Sequence, residues 1–231
     1  MSEKYNFSDL AVWNEDSIGL VVIRSSEIGE VRRTVFSELI MALGIASTDD
    51  SVNAVALAGL NANFVNKIDF CSDLKCVMDD QEMFSGLVSM VYSFPKPLYA
   101  ILTGDALDIG YEIAAISDCI IAADDVRAGI TQAYSFRLCG SLSTQKFRDI
   151  RFANAKPGSN VDIVFTRGNL LGDAKKYILS DVWASRPLMR RRRLGEARSA
   201  ILEEHRLIVE KISRTTQEQG KSAAEAQQQK Q

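Results

Sequence analysis

The sequence lacks the residues that several classes of chemistry need. It has one histidine and four cysteines in 231 residues, and no Cys-x-x-Cys pair. The sole histidine, His205, sits in a charged stretch (EEHRLIVEK), which argues against a His-dependent triad and against a His-based metal site. Cys71, Cys76, Cys119 and Cys139 have no metal-ligand spacing, and three have apolar neighbours. Buried free thiols are expected, rather than a metal centre or a disulfide framework. Excess positive charge is also missing. Lys and Arg number 27 against 30 Asp and Glu, the net charge is −3 and the pI is about 5.4, so no global basic field would recruit nucleic acid. No apolar run reaches about 18 residues. The start, MSEKYNFSDL, lacks the apolar stretch of a signal peptide. These absences point to a cytoplasmic protein without a membrane anchor.

What is present is ordinary for a globular chain: 46% hydrophobic and 25% charged residues, enough for one large domain with a sizeable core, or one domain and a helical appendage. Strand and helix signals alternate. Residues 17–23 (SIGLVVI) read as a strand, with 10–13 as a possible partner. Residues 30–46 read as an amphipathic helix, because Val31, Val35, Leu39, Ala42, Leu43 and Ala46 recur near spacing 3–4. Residues 52–57 (VNAVAL) read as the next strand, and 82–92 as a helix stopped by Phe94-Pro95. Then come a strand at 98–102, a Gly-containing turn at 104–110, a short helix carrying Glu112, and a strand at 119–123. Largely apolar strands separated by helices imply a sheet covered by helices, an α/β core. From about residue 144 the strand signal fades. Residues 147–152, 173–179 and 190–212 read as helical, and the Gln- and Ala-rich end from about 215 as a frayed or disordered tail.

The most informative stretch is 97–125. A turn there feeds a helix between two core strands, and exposed backbone N–H groups at such a turn can hold an anion or a developing oxyanion. Glu112 lies beside the apolar face formed by Ile109, Ile113 and Ile116. A carboxylate in such surroundings tends to hold its proton more tightly, which suits a general acid/base. The other reading is a solvated or Arg-paired glutamate. The run Arg190-Arg191-Arg192-Arg193 points in all directions on a helix, and reads as a solvated face or a subunit contact.

Three collinear segments carry a resemblance. KPLYAILTGDALDIGYEIAAISDCIIAADDVRAGI from Lys96, AVALAGLNANFVNKIDF from Ala54, and FTRGNLLGDAKKYILSD from Phe165 are together similar to the signature regions of the enoyl-CoA hydratase/isomerase (crotonase) superfamily, over most of residues 10–185. The resemblance implies a crotonase-like ββα spiral over 1–185, a C-terminal helical arm over 186–214, and a tail over 215–231. It implies an acyl-CoA thioester as substrate, coenzyme A being part of the substrate and no separate cofactor or metal being needed. It also implies a trimer or a dimer of trimers.

By position, the two oxyanion N–H groups fall at Ile68 and Ile109, and where the family usually has glycines this chain reads Asn66-Lys67-Ile68-Asp69 and Asp108-Ile109-Gly110. A turn needing positive φ at any replaced position would strain a β-branched Ile there. Lys67 and Gly110 match substrate-contacting positions, and Lys67 or part of the arginine run would meet the coenzyme A phosphates. Asp69 matches a common family Asp, with capping of the following turn as its expected role. Glu112 matches the first catalytic carboxylate. The second falls at Gln132, in Ala128-Gly129-Ile130-Thr131-Gln132, and glutamine can orient a group but not exchange a proton with it. The expected activity is hydratase or isomerase chemistry through a thioester enolate. The alternatives are a non-catalytic member kept for assembly or acyl-CoA binding, and another reaction on the same scaffold such as thioester hydrolysis.

The arm carries more apolar residues (Ile201, Leu207, Ile208, Ile212) than a lone surface helix needs, so a trimer-based homo-oligomer is expected. Light scattering at micromolar concentration checks this, and a monomer would count against it.

Overall fold

The computed structural model describes residues 7–60, 63–69, 74–131, 151–181, 185–203, 205–207, 209–210 and 214. Its chain runs β1 (Leu10–Glu15), β2 (Ile18–Ile23), β3 (Glu30–Val31), α1 (Thr34–Thr48), β4 (Ala54–Gly59), β5 (Lys67–Ile68), α2 (Leu74–Ser93), β6 (Leu98–Leu102), β7 (Ala106–Leu107), α3 (Ile109–Ala115), β8 (Cys119–Ala123), β9 (Arg127–Gly129), β10 (Ala153–Asn154), β11 (Ile163–Phe165), α4 (Leu170–Ser180) and α5 (Arg186–Arg192). Helical residues continue over 194–203.

A repeat organises this order. A long strand is followed by a two- or three-residue strand and then by a helix: β2-β3-α1, β4-β5-α2, β6-β7-α3. The long strands stack into a six-stranded sheet in the order β1-β2-β4-β6-β8-β11. Within it, β2, β4, β6, β8 and β11 are parallel neighbours, and β1 is joined antiparallel at the edge by a hairpin. The short strands pair β3 with β5, and β7 with β9. Each repeat therefore advances the chain by one strand in both ladders, which is a ββα spiral. β4, β6 and β8 are buried at every position, because interior parallel strands are covered on both faces. Val55 lies opposite Leu98, so the two apolar runs sit side by side.

Helices cover the two faces unequally. α1 packs on the face presenting Val12 and Val21, and α4 lies near the face presenting Trp13, Leu20 and Val22. Among the described residues, α4 leaves part of that second face open, as an apolar trough of about 780 Å³ edged by Leu60, Leu171 and Lys175.

Several expectations are corrected. Glu30 and Val31 are not helical; they pair with Lys67 and Ile68, and α1 starts only at Thr34. Val31 matched the helical spacing because it is buried, but against the β5 strand. The strand expected at 52–57 is shifted to Ala54–Gly59, and α2 begins eight residues before the expected helix, at Leu74. Strands do continue beyond residue 144, as β10 and β11. Residues 147–150 of an expected helix lie outside the described residues, and Arg151 bridges Ile130 rather than continuing a helix. Cys119 is a buried free thiol. Cys76 is disulfide-bonded, against the expectation of free thiols, and Cys71 and Cys139 lie outside the described residues.

The largest correction concerns Arg190. It is 6% exposed, forms a buried ion pair with Asp118, and donates to the Phe94 and Lys96 carbonyls at 2.7 and 3.0 Å. Asp118 also accepts from the Leu98 N–H at 2.8 Å. One turn earlier, Arg186 pairs with Asp181 at 2.6 Å, and Asp181 accepts from the Tyr99 hydroxyl at 2.8 Å. These contacts fix α5 against the ends of α2, β6 and α3. Burial pulls the Arg190 guanidinium below its ordinary pKa while Asp118 opposes that shift.

Removing one partner of a buried pair strands the other charge. Arg190→Ala is therefore expected to destabilise the fold by about 3–5 kcal/mol, measured by urea unfolding. A loss below about 1 kcal/mol, the worth of a surface pair, would show that this contact does not dock α5.

Candidate active site

The segment that carries Glu112 is held at both ends by neighbouring repeats. Before α3, β7 pairs with β9, the Leu107 N–H donates to the Val65 carbonyl at 3.1 Å, and the Asp108 N–H donates to the Gly129 carbonyl at 3.0 Å. The helix then begins against the backbone leading into β5. A Cβ placed on Gly110 would lie 1.7 Å from the Val65 carbonyl oxygen and 2.6 Å from its carbon. Both are backbone atoms, so no side-chain rotation could make room. Only glycine allows α3 to approach this closely.

That approach brings two peptide groups into one neighbourhood. In β5 the Lys67 N–H donates to Gly29 and the Asp69 N–H to Val31, each at 3.3 Å. N–H direction alternates along a strand, so the intervening Ile68 N–H points away from β3. Ile109 opens α3, and the N–H groups of a first helical turn have no partner within their own helix. Ile68 and Ile109 are 1% and 0% exposed, and their side chains belong to the core.

Glu112 is 1% exposed and lies one turn into α3. Its N–H donates to the Asp108 carbonyl at 2.9 Å. Ile109, Ile113 and Ile116 are all buried beside it, so Glu112 sits within the apolar face and not at a solvated edge. Lys67 is exposed and pairs with Glu30 at 3.4 Å. Gln132 lies outside the described residues, as does the segment that follows Asp69. Among the described residues, no group of three His, Cys, Asp or Glu side chains is placed to hold a metal ion, and no helix is long and apolar enough to cross a membrane.

Sequence reasoning assigns no role to two residues of this neighbourhood, Asp108 and Thr131. Asp108 has φ 49° and ψ −110°, and its buried carboxylate accepts from the Thr131 N–H at 2.7 Å and from the Thr131 hydroxyl at 3.0 and 3.1 Å. The positive φ thus falls on Asp108, not on Ile109, and the β-branched side chain escapes it. A non-glycine residue in this region costs about 1–3 kcal/mol. The signal available in the sequence was an aspartate where the similar family has glycine.

The architecture is shared widely. An enoyl-CoA hydratase from Bacillus halodurans superposes with a TM-score of 0.74 at 11% identity, over 89% of this chain and 95% of that one. One from Mycobacterium avium subsp. paratuberculosis K-10 gives 0.69 at 16% identity, over 90% and 94%. The chain has the crotonase fold. Its sequence is a divergent example of that fold. It is 25% identical over 144 residues to 2,3-dehydroadipyl-CoA hydratase of Escherichia coli K12, a match that spans 60% of this chain and 56% of that protein. No protein-family model matches the sequence. As a crotonase-fold chain, it presents β5 and the N-terminus of α3 side by side in successive turns of the spiral.

Gly110→Ala should force α3 away from Val65. An overpacked core position costs about 1–3 kcal/mol, and a backbone clash belongs at the upper end. Thermal and urea unfolding check this, and a variant as stable as the parent would show that the two segments are not in contact.

Proposed function

We propose that this chain binds an acyl-CoA thioester and carries out hydratase- or isomerase-type chemistry through an enolate. One observation carries the reading. The buried Glu112 lies on a helix whose first turn is pressed, through Gly110, onto the backbone leading to Ile68. The fold and the distant hydratase relative support it.

In this reading the thioester oxygen accepts from the Ile68 and Ile109 N–H groups. Fixed dipoles in a water-poor site stabilise charge as it develops, without having to reorganise. Glu112 takes a proton from water as the water oxygen bonds to the β carbon and the double-bond electrons move to the thioester oxygen. The enolate then collapses and takes a proton at the α carbon. Gln132 orients but does not transfer, so Glu112 returns the proton it took and the carboxylate is regenerated. In an isomerisation, Glu112 moves a proton from one carbon of the acyl chain to another. Coenzyme A belongs to the substrate, with Lys67 close to its phosphates, and a trimer-based assembly completes the proposal.

Crotonyl-CoA should lose its enoyl absorbance in the presence of the protein, slowly in the parent. Glu112→Gln should lower the rate by roughly 10²- to 10⁴-fold, the usual share of a general acid/base, and leave binding intact. Gln132→Glu should raise it. Binding without turnover, even in Gln132→Glu, would identify a protein that holds acyl-CoA only. Absence of binding would remove the proposal and leave the architecture.

A further inference from the structure

Among the described residues, three non-glycine residues have positive φ: Asp16, Ser17 and Asp108. The first two form the tip of the β1–β2 hairpin, where such angles are common. Asp108 is different. It is buried and directly precedes Ile109. Glycine would take this turn without strain, so the aspartate side chain must offer something that glycine cannot.

Its hydrogen bonds show what that is. Asp108 stands at the N-cap position of α3, yet its carboxylate caps nothing there. Both oxygens turn instead to Thr131, which donates from its N–H at 2.7 Å and from its hydroxyl at 3.0 and 3.1 Å. The Asp108 N–H meanwhile donates to Gly129. Backbone and side chain are thus tied to the same exit of β9, two residues apart.

We infer that Asp108 and Thr131 form a latch that positions the Ile109 N–H as an oxyanion donor. The N–H of Ile109 belongs to the Asp108–Ile109 peptide, so fixing φ and ψ of Asp108 fixes the plane of that peptide. Where a glycine turn would be held by packing alone, this chain holds it with charge-assisted hydrogen bonds. Thr131 directly precedes Gln132, so the same latch joins the oxyanion turn to the strand exit that leads to Gln132. Asp108 and Thr131 are positioning residues that act through the Ile109 peptide. The inference rests on the proposed acyl-CoA chemistry only for its purpose, since the latch itself is a property of the free chain.

The test compares Asp108→Ala, Asp108→Asn, Asp108→Gly and Thr131→Val by two measurements. The first is amide hydrogen exchange of α3 in the free protein. Asp108→Ala should exchange roughly 10- to 100-fold faster there, as expected for losing a hydrogen bond to a charged acceptor, while β4 and β6 keep the parent rates. Asp108→Asn should stay near the parent, because its Oδ1 still accepts from the Thr131 N–H and asparagine tolerates positive φ. Thr131→Val, which keeps the N–H bond, should fall between them.

The second measurement is the carbonyl stretch of bound butyryl-CoA labelled with carbon-13 at the thioester, read by difference infrared spectroscopy. The parent should show a shift to lower frequency. Asp108→Ala and Asp108→Gly should lose most of it with little change in binding, and Asp108→Gly should be at least as stable as the parent. A structural role alone would not separate stability from carbonyl polarisation in this way. Parent-like exchange in Asp108→Ala, or a parent-like carbonyl frequency in Asp108→Gly, would overturn the latch. If the parent binds no butyryl-CoA, the proposed function falls, and the exchange rates alone decide for or against the latch.

Discussion

The candidate site depends on one close approach, that of α3 to the backbone of Val65. A Cβ on Gly110 would overlap the Val65 carbonyl oxygen, so the contact is set by two main chains and cannot be adjusted by side-chain repacking. The spiral makes such a contact possible. Each repeat displaces the chain by one strand, which sets the short strand of one turn beside the helix start of the next. The Val65 carbonyl also accepts from the Leu107 N–H, so the surface that α3 meets is itself pinned to β7. The elements that carry Ile68 and Ile109, β5 and α3, distant in sequence, come into contact through this arrangement.

The parts of the fold that could be read from the sequence are those with a long apolar signal. β6 and β8 fall on the expected residues, and β4 differs by two, because buried parallel strands leave an unbroken apolar run. The two-residue strands β3, β5 and β7 leave none. No periodicity can be measured over two positions, and their pairing comes from the spiral rather than from propensity. Residues 30–31 were drawn into a helix for that reason. Within the site, the place of Glu112 was legible from its apolar neighbours, but its depth was not, since burial depends on β5 and β9, which arrive from other repeats. Arg190 shows the reverse error. A run of four arginines reads as a solvated surface, yet Arg190 finds Asp118 and two carbonyls at the converging ends of α2 and β6. No local pattern encodes a partner 72 residues away.

The replaced glycines divide into two kinds. At Ile109 the replacement is tolerated because the backbone there is ordinary helix, and a donor N–H does not depend on its side chain. At Asp108 the replacement meets a positive φ and needs compensation, which Thr131 supplies. Gly110 stays because no compensation is available, the obstacle being backbone. A loss of glycine in a turn is therefore a different event at each position, and only geometry tells which losses change the peptide that matters.

Carboxylate number constrains the proposed chemistry further. Hydration needs one group to take a proton from water and one to deliver a proton to carbon. In the proposed reaction, with glutamine at position 132, both tasks would fall to Glu112, and the same proton would be taken and returned on one side of the acyl chain. Moving a proton between two carbons imposes no second requirement, since a single buried carboxylate completes it without a bound water. On the proposed function, a single carboxylate at Glu112 would suit shifting a double bond better than adding water across it. If the proposed chemistry holds, the ratio of isomerisation to hydration in the parent chain measures how far the missing carboxylate moves it in that direction.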